Sequence, residues 1–220
     1  GVNLFVPSKD GKTAVLNDQV ISNLTVGSET KGSTLIKVDT YGVIIDSSIG
    51  NVIDNNAGEY NTVLDAALSY PDQKVKNYMP IIIGDNAKGG TGIWASSTYS
   101  NSSLENYGDI TINSKNDGIG NYSVGIVSFS GDHYNFGNIE MNGEFGIGII
   151  TPVTNSKINT SGNIIVNGNN GINLYAKSGT IKHISGDLEM HGENGRLLYT
   201  DQTTGGIIIG ETGSVINAVV

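Results

Sequence analysis

Three consecutive copies of one pattern occupy residues 134–200. Residues 134–151 read YNFGNIEMNGEFGIGIIT, residues 159–176 read NTSGNIIVNGNNGINLYA, and residues 182–200 read KHISGDLEMHGENGRLLYT. In each copy a Gly is followed by Asn or Asp, by an apolar-variable-apolar triplet, by Asn or His, and by a second Gly. The first glycines are Gly137, Gly162 and Gly186, so the period is 25 and then 24 residues. Self-similarity at such a period is typical of a stacked repeat fold.

The pattern extends in both directions and indicates strands as the repeating element. Gly108 lies 29 residues before Gly137, and Gly213 lies 27 residues after Gly186. Each copy contains three short apolar segments separated by Gly, Asn, Asp and Ser, and none of them is long enough for a helical repeat. The sequence therefore predicts an all-β parallel β-helix built from three-strand coils of about 25 residues.

Superposing the copies aligns their first strands in columns. Side chains alternate between the two faces of a strand, so the two flanking columns should face a core and the middle column should face solvent. The flanking columns are Ile110, Ile139, Ile164, Leu188 and Val215, and Ile112, Met141, Val166 and Met190; the middle column is Thr111, Glu140, Ile165, Glu189 and Ile216.

An amide column follows these strands. It consists of Asn113, Asn142, Asn167 and His191, and Gly143, Gly168 and Gly192 come directly after its last three members. Stacked Asn side chains can pass amide hydrogen bonds from coil to coil, and Asn also tolerates the left-handed backbone that a sharp corner needs. Gly carries no steric cost at such a corner.

The whole chain, residues 1–220, is interpreted as one β-helix segment in three parts. Residues 1–54 form irregular N-terminal coils, residues 55–80 a helical or loop excursion, and residues 81–220 regular coils. The expected strands of the first part lie at residues 4–6, 13–16, 19–26, 33–38 and 41–46. The chain starts at Gly1 and stops within the pattern, which suggests a piece of a larger protein.

One short helix is expected near residues 58–70. The apolar positions of this segment recur at i, i+3, i+4, i+7 and i+8, which is a helical stripe, and Pro71 would end the helix. They are Tyr60, Val63, Leu64, Ala67 and Leu68. Insertions in a solenoid emerge on one face and often carry its binding site, but a helix that only caps or braces the N-terminal coils is the favoured interpretation.

The second strands predict a row of aromatic side chains. If Gly125 opens the second strand of its coil, Ile126 aligns with Ile147 and Ile172, and Arg196 then breaks an apolar column. Either Arg196 lies near an open end or the register shifts there. The same alignment places Phe129, Ile150, Tyr175 and Tyr199 in one column, with Trp94 on the same side. Such a row either binds sugar rings or partner side chains, or turns inward as core.

Composition excludes several classes of partner. The net charge is −9 and Arg196 is the single arginine, which argues against nucleic acid and against anionic lipid surfaces. The chain has no Cys, so it has neither disulfides nor thiolate metal sites. No apolar run is long enough for a membrane span. His133 and His183 are expected as outward neighbours separated by Lys157, an unlikely metal pair. No metal site and no cofactor is predicted.

A catalytic role is an alternative for this fold, because polysaccharide lyases and glycosidases also use parallel β-helices. Glycoside hydrolysis needs two carboxylates facing one cleft at roughly 5 to 10 Å. Asp109 and Asp187 share a column but are separated by Asn138 and Asn163. Glu140 and Glu189 are likewise separated by Ile165. The columns therefore favour a structural corner, in which Asp and Asn serve as interchangeable acceptors.

The repeats resemble a known family. Residues 106–113 (NYGDITIN), 136–143 (FGNIEMNG) and 161–175 (SGNIIVNGNNGINLY) resemble the passenger repeats of large bacterial autotransporter, or type V secreted, adhesins, notably those of oral fusobacteria. The resemblance covers about residues 80–217. It implies a right-handed parallel β-helix displayed outside the cell and attached, in the full-length protein, to a C-terminal outer-membrane barrel. It carries over no binding residue.

The sequence as a whole favours a non-catalytic adhesin segment that displays loops to a host or microbial glycan or protein receptor. A carbohydrate-active β-helix enzyme and a vacuolating-toxin-like passenger segment remain alternatives. Ligand contacts are expected on the excursion and on the aromatic row: Tyr60, Tyr70, Tyr78, Trp94, Phe129, Tyr175 and Tyr199.

Overall fold

The chain folds into a parallel β-helix whose three sheets run along the length of a rod. The structure, a computed structural model, describes residues 5–7, 13–16, 31–38, 42–45, 53–55, 58–116, 122–201 and 204–220. Among the described residues, two sheets contain seven strands and the third contains nine. The first two strands, β1 (Phe5–Pro7) and β2 (Thr13–Leu16), pair antiparallel with each other, and all other described pairs are parallel and join strands one coil apart. The predicted parallel β-helix is confirmed, and the arrangement is consistent with a right-handed coil.

From Thr34 onward, the described strands belong in turn to sheet 1, sheet 2 and sheet 3. Sheet 1 contains β3 (Thr34–Val38), β6 (Thr62–Leu68), β9 (Gly90–Ser97), β12 (Ser123–Ser128), β15 (Gly146–Thr151), β18 (Ile172–Ala176) and β21 (Arg196–Thr200). Sheet 2 contains β1 (Phe5–Pro7), β2 (Thr13–Leu16), β4 (Gly42–Ile45), β7 (Lys74–Asn77), β10 (Ser103–Asn106), β13 (Gly131–Asn135), β16 (Ser156–Thr160), β19 (Thr180–His183) and β22 (Gly206–Ile209). Sheet 3 contains β5 (Ile53–Asn55), β8 (Ile81–Ile83), β11 (Ile110–Ile112), β14 (Ile139–Met141), β17 (Ile164–Val166), β20 (Leu188–Met190) and β23 (Ala218–Val219).

The sheet 3 columns follow the predicted alignment through β20. Ile139 pairs with Ile110 and Ile164, and Ile164 pairs in turn with Leu188. These flanking side chains are buried in one continuous core, whereas the middle column is half-buried. The prediction fails in the last coil, where Leu188 pairs with Ala218 rather than Val215. The Gly213 spacing therefore does not mark the strand, because the corner before β23 is longer than in the other coils.

Several N-terminal strands were predicted at their observed places. Strand β2 occupies residues 13–16, and β1, β3 and β4 lie within one or two residues of the expected segments. The strand predicted at residues 19–26 lies outside the described residues. No described residue is helical, so this part of the chain contains no helix that could cross a membrane.

The helix predicted near residues 58–70 is wrong. The segment forms β6, which pairs in parallel with β3 and β9. Val63 and Leu64 are both buried because the strand bends between them, and this bend shifts the phase of the alternation. Two successive inward residues followed by inward Ala66 and Leu68 imitate a helical stripe, although the period is that of a strand. The predicted 55–80 excursion is therefore wrong: β6, β7 and β8 continue the coil.

The corner after sheet 3 carries hydrogen-bonded amides, as predicted. Asn142 Nδ2 donates to Asn113 Oδ1 at 2.7 Å, and Asn167 Nδ2 donates to Asn142 Oδ1 at 2.7 Å. Asn142 and Asn167 are exposed and Asn113 is half-buried; we call these three residues the outer asparagine column. His191 does not continue it and contacts Glu189 instead, at 2.7 Å.

The reason for Gly at this corner differs from the prediction. Phe145, Asn170 and Asn194 hold the left-handed conformation, with φ of 55°, 57° and 55°, three residues after the amide column. Gly143 has no positive φ, but a Cβ there would lie 1.8 Å from the carbonyl oxygen of Ser114. Gly is therefore required by the close approach of successive coils.

A second amide column lies inside the rod and was not predicted. Asn77 Nδ2 donates to Asn106 Oδ1 at 2.9 Å, and Asn106 Nδ2 donates to Asn135 Oδ1 at 2.9 Å. All three residues, the inner asparagine column, have no exposed surface. Each amide also donates to the carbonyl oxygen two residues later, at 3.0, 2.8 and 2.9 Å. The column therefore closes the corner between sheets 2 and 3, and Thr160 continues it in the next coil.

Candidate functional site

The strands of sheet 1 bend at a column of glycines, and this bend creates an outer face. Val124 pairs with Ile147 and Ile126 pairs with Ile149, so Gly125 and Gly148 lie together between paired positions. A Cβ on Gly125 would lie 2.5 Å from the carbonyl oxygen of Gly148, so no side chain fits there. The residues at and just after the bend face the core, and the residues flanking them face outward.

These outward residues form an apolar cluster separate from the core. Val124, Val127, Ile147 and Ile172 pack together with exposures of 2 to 8%. Partly buried side chains cover their edges: Trp94, Tyr122, Ile150, Tyr175 and Tyr199. We call these nine residues the outer cluster. A second core on the outside of a sheet is a candidate contact surface, because its covering aromatic side chains remain partly exposed.

Aromatic pairs border the outer cluster. The rings of Trp94 and Phe129 stack with centroids 5.1 Å apart, and those of Tyr175 and Tyr199 lie 4.9 Å apart, tilted by 41°. Tyr122 meets Phe145 edge to face at 6.1 Å. Rings with these separations attract one another, and the tyrosines add polar groups at the rim.

Two charged side chains flank the tyrosines at opposite ends of β21. The guanidinium of Arg196, at the start of the strand, lies over the Tyr199 ring, 4.5 Å from its centroid. Asp201, just after the strand, accepts a hydrogen bond from the Tyr175 hydroxyl. Burial is the main cause that raises the pKa of Tyr175 well above its usual value, and the hydrogen bond and charge of Asp201 raise it further. The Tyr175 hydroxyl therefore stays protonated as a donor.

A small cleft opens beside Arg196. Its volume is about 190 Å³, which is less than the 300 to 1,000 Å³ of common ligand pockets. The lining includes Tyr122, Phe145, Asn170, Ile172, Asn194 and Arg196. Within the part of the chain that the structure describes, Arg196 has no carboxylate at ion-pairing distance. The cleft therefore combines aromatic walls, amide groups and an available cation.

The structure brings together four of the predicted site residues. Trp94, Tyr175 and Tyr199 lie in one outward column of sheet 1, with Val127 and Ile150 between them. Phe129 was misplaced by two residues: Val127 pairs with Ile150, and Phe129 reaches Trp94 from beyond the strand end. The prediction that Gly125 opens the second strand of its coil is also wrong, because Ser123 and not Gly125 pairs with Gly146.

The other three predicted site residues lie elsewhere. The Tyr60 ring packs over Gly89, where a Cβ would lie 2.4 Å from it, and Lys88 lies 5.8 Å from its centroid. Tyr70 is 56% exposed in the turn after β6. Tyr78 stacks on Tyr107 at 4.7 Å with an interplanar angle of 7°. None of them contributes to the outer cluster.

The Tyr78 stack is a poor platform for a flat ligand. Tyr107 also stacks on Phe136 at 4.9 Å, so neighbouring rings cover each other's faces and leave mainly their edges accessible. The Tyr107 hydroxyl donates to Glu105 Oε2 at 2.9 Å. Burial, with smaller contributions from Glu105, raises the pKa of Tyr107 to about 12. The stack therefore serves the cohesion of three coils.

The column of Asp and Asn side chains that was weighed for catalysis binds backbone amides. Asn138 N–H donates to Asp109 Oδ1 at 2.9 Å, and Asn163 N–H donates to Asn138 Oδ1 at 2.9 Å. Asp187 N–H donates to Asn163 Oδ1 at 2.8 Å. The predicted role of Asp and Asn as interchangeable acceptors is confirmed. Among the described residues, no three His, Asp or Glu side chains lie together as metal ligands would.

The histidine prediction is wrong in orientation. His133 and His183 have no exposed surface and face the core. His133 Nδ1 accepts from Leu104 N–H at 3.0 Å, and its Nε2 lies 2.6 Å from the Ser130 carbonyl oxygen. A carbonyl can only accept, so Nε2 carries the proton and the ring is neutral. Burial lowers the pKa of His133 to about 4.

Sequence reasoning missed four members of the candidate site: Tyr122, Phe145, Asn170 and Asn194. Their common signal is position, since the last three occupy the same left-handed corner in successive coils. Arg196 was noticed only as an interruption of an apolar column. A single arginine that follows three apolar residues, Val124, Ile147 and Ile172, in one outward column is the sequence feature that could have located the cleft.

Comparisons with known proteins gave no match. No family model matches the chain, and neither the curated proteins nor the solved structures contain a match to it.

Proposed function

We propose that this chain is a segment of a cell-surface adhesin, a non-catalytic rod that binds a glycan or protein receptor on host or microbial surfaces. Its place would be extracellular, on the surface of a bacterium and anchored to the outer membrane in the parent protein. The proposal rests on the outer cluster, an apolar surface outside the core whose covering rings remain partly exposed. The resemblance of the sequence repeats to autotransporter passenger repeats supports the same function.

The outer cluster suits binding better than structural support alone. Val124, Ile147 and Ile172 lie between polar Thr91 and Arg196 in the same column, so the apolar part of this column is limited to three coils. The coil of Thr91 pairs in parallel with both of its neighbours although this position is polar, so coil pairing does not require an apolar side chain there. Localised apolar surface with polar surroundings is typical of a binding site.

Adherence of the purified chain to glycan and host-cell arrays tests the proposal. Tyr199→Ala removes a ring from the outer cluster and should reduce adherence at least tenfold. The matched control is Tyr99→Ala, which removes an exposed ring that lies outside the outer cluster and should leave adherence unchanged. Thermal melting of both variants checks that the coil is intact.

The alternatives give different results in parallel assays. A carbohydrate-active enzyme would release reducing or unsaturated sugar from polysaccharides, and the release would depend on a carboxylate. A toxin-like segment would vacuolate or permeabilise host cells. Either result, or equal adherence of the Tyr199→Ala and Tyr99→Ala variants, would contradict the proposal.

A further inference from the structure

We propose that the cleft beside Arg196 binds a saccharide that carries one carboxylate, such as a uronic or sialic acid. This inference rests on the proposed function and identifies its ligand class and contact site. Arg196 would bind the carboxylate, the surrounding aromatic rings would contact the sugar ring, and Asn170 and Asn194 would bind hydroxyls.

Arg196 is oriented but not neutralised. Its guanidinium lies 4.5 Å from the Tyr199 ring centroid, and this contact restricts the long side chain to the mouth of the cleft. Three lysines, in contrast, form ion pairs with glutamates in the described part of the chain: Lys31, Lys76 and Lys182. A guanidinium matches a carboxylate with two parallel hydrogen bonds. A ligand carboxylate would therefore supply the partner that Arg196 lacks among the described residues.

The remaining lining favours a sugar over another carboxylate compound. Tyr122 and Phe145 line the cleft and meet edge to face at 6.1 Å, so the apolar face of a pyranose would contact the ring parts that border the cleft. Asn170 and Asn194 each offer amide donors and an acceptor, the combination that vicinal hydroxyls require. The cleft volume of about 190 Å³ accommodates one ring rather than an extended peptide.

The surrounding charge limits the ligand to a single carboxylate. The chain carries a net charge of −9, and Asp201 lies near the far end of the same strand. A polyanion would meet repulsion beyond the reach of Arg196, whereas an isolated acid group is attracted locally. A consecutive polyuronate should therefore bind no more tightly per residue than a single uronide.

Paired sugars that differ only in the carboxylate test the proposal. Calorimetric titration of the whole chain with methyl glucuronide and with methyl glucoside should give a preference for the acid of at least tenfold. Sialyllactose and lactose form the second pair. The preference should decrease in 0.5 M salt, since the ion pair is partly exposed.

Variants then locate the preference. Arg196→Gln should abolish it, and Arg196→Lys should retain a part, because Lys keeps the charge but lacks the planar fork. Lys157→Gln removes the same charge from exposed Lys157 on sheet 2 and should change nothing. Equal binding of acid and neutral sugars overturns the proposal, as does an unaltered preference in Arg196→Gln. Equally tight binding of acetate or an acidic peptide also overturns it.

The outcomes distinguish this inference from the proposed function. If no acidic sugar is preferred but the chain still adheres to cells through Tyr199, the carboxylate site is wrong and adhesion stands. If the uronide binds through Arg196 but no surface retains the chain, the site stands and the adhesin function is wrong.

Discussion

The inner and outer asparagine columns use the same side chain, the same vertical spacing and the same amide-to-amide hydrogen bond, but in opposite surroundings. The outer bonds are shorter, at 2.7 Å against 2.9 Å. Nevertheless we expect the inner column to contribute more to stability. An outer amide that loses its partner can bind water, whereas an inner amide is fully buried and would remain unpaired. Burial rather than bond length therefore decides what a repeated Asn contributes.

We expect the largest loss of stability from a substitution in the apolar interior, and this loss is an upper limit for substitutions in the two asparagine columns. Ile164→Asp places a charge without a partner at a position that is 0% exposed. The free energy of unfolding should decrease by about 3 to 5 kcal/mol. Urea unfolding measures this change. The neighbouring Ile165→Thr, in the half-buried column that already contains Thr111, should change stability by less than about 1 kcal/mol. Melting of Ile164→Asp like the unaltered chain would show that the column is not interior.

Asn106→Ala should have the next largest effect and tests the inner column directly. The substitution removes the acceptor of Asn77 Nδ2 and the donor to Asn135 Oδ1 and to the Gly108 carbonyl. Buried groups left without partners make a loss of about 2 to 3 kcal/mol the expected result. Urea unfolding again gives the change. A loss below about 1 kcal/mol would mean that water enters the corner and that the two columns are equivalent.

Acid should weaken the interior through His133, a third comparison of buried with exposed polar groups. Burial lowers the pKa of His133 from 6.5 to about 4, so the folded state disfavours the protonated ring. The free energy of unfolding is therefore unaffected by His133 above about pH 6.5 and decreases as the pH falls from about 6.5 to 4, because the unfolded chain binds the proton first. The difference of about 2.5 between these two pKa values corresponds to a loss of roughly 3 kcal/mol of unfolding free energy at most.

Unfolding measured between pH 4 and 7 for the unaltered chain and for His133→Gln isolates this contribution. The difference between their unfolding free energies should shrink toward acid pH, because only the unaltered chain has the buried imidazole. The control is His191→Gln, since His191 is exposed and pairs with Glu189. A pH-independent difference for His133→Gln would contradict the assignment.

The sequence predicted the fold where spacing alone determines it and failed where the backbone bends. The sheet 3 columns from Ile110 to Leu188 were found because a Gly-Asn or Gly-Asp pair directly precedes each of these strands, whatever the length of the coil. In sheet 1, the bend at Gly125 puts two successive residues inward, and neither alternation nor helical periodicity describes that pattern. This one feature explains both the false helix at Val63 and Leu64 and the misplaced Phe129.

The candidate site was only partly predictable for a related reason. Tyr175 and Tyr199 were placed in one column because they share a register, and Trp94 was placed only on the same side, although it belongs to that column too. The inner asparagine column escaped notice because its members precede the corner residues Tyr78, Tyr107 and Phe136, and a polar residue at a strand end is usually taken as exposed. Burial of a polar side chain depends on which partner the next coil supplies, and local sequence does not contain that information.

Asn142→Ala should have the smallest effect and completes the comparison. Asn142 donates to Asn113 and accepts from Asn167, so the substitution breaks two hydrogen bonds, as many amide-to-amide contacts as Asn106→Ala breaks. Water can replace both partners at this exposed corner, so the expected loss is about 0.5 to 1 kcal/mol. A double-mutant cycle with Asn113→Ala should give a coupling energy below about 0.5 kcal/mol. The same cycle for Asn77 and Asn106 should give at least twice that value. Equal coupling energies in the two columns would mean that stacking itself, and not burial, determines what the repeated asparagines contribute.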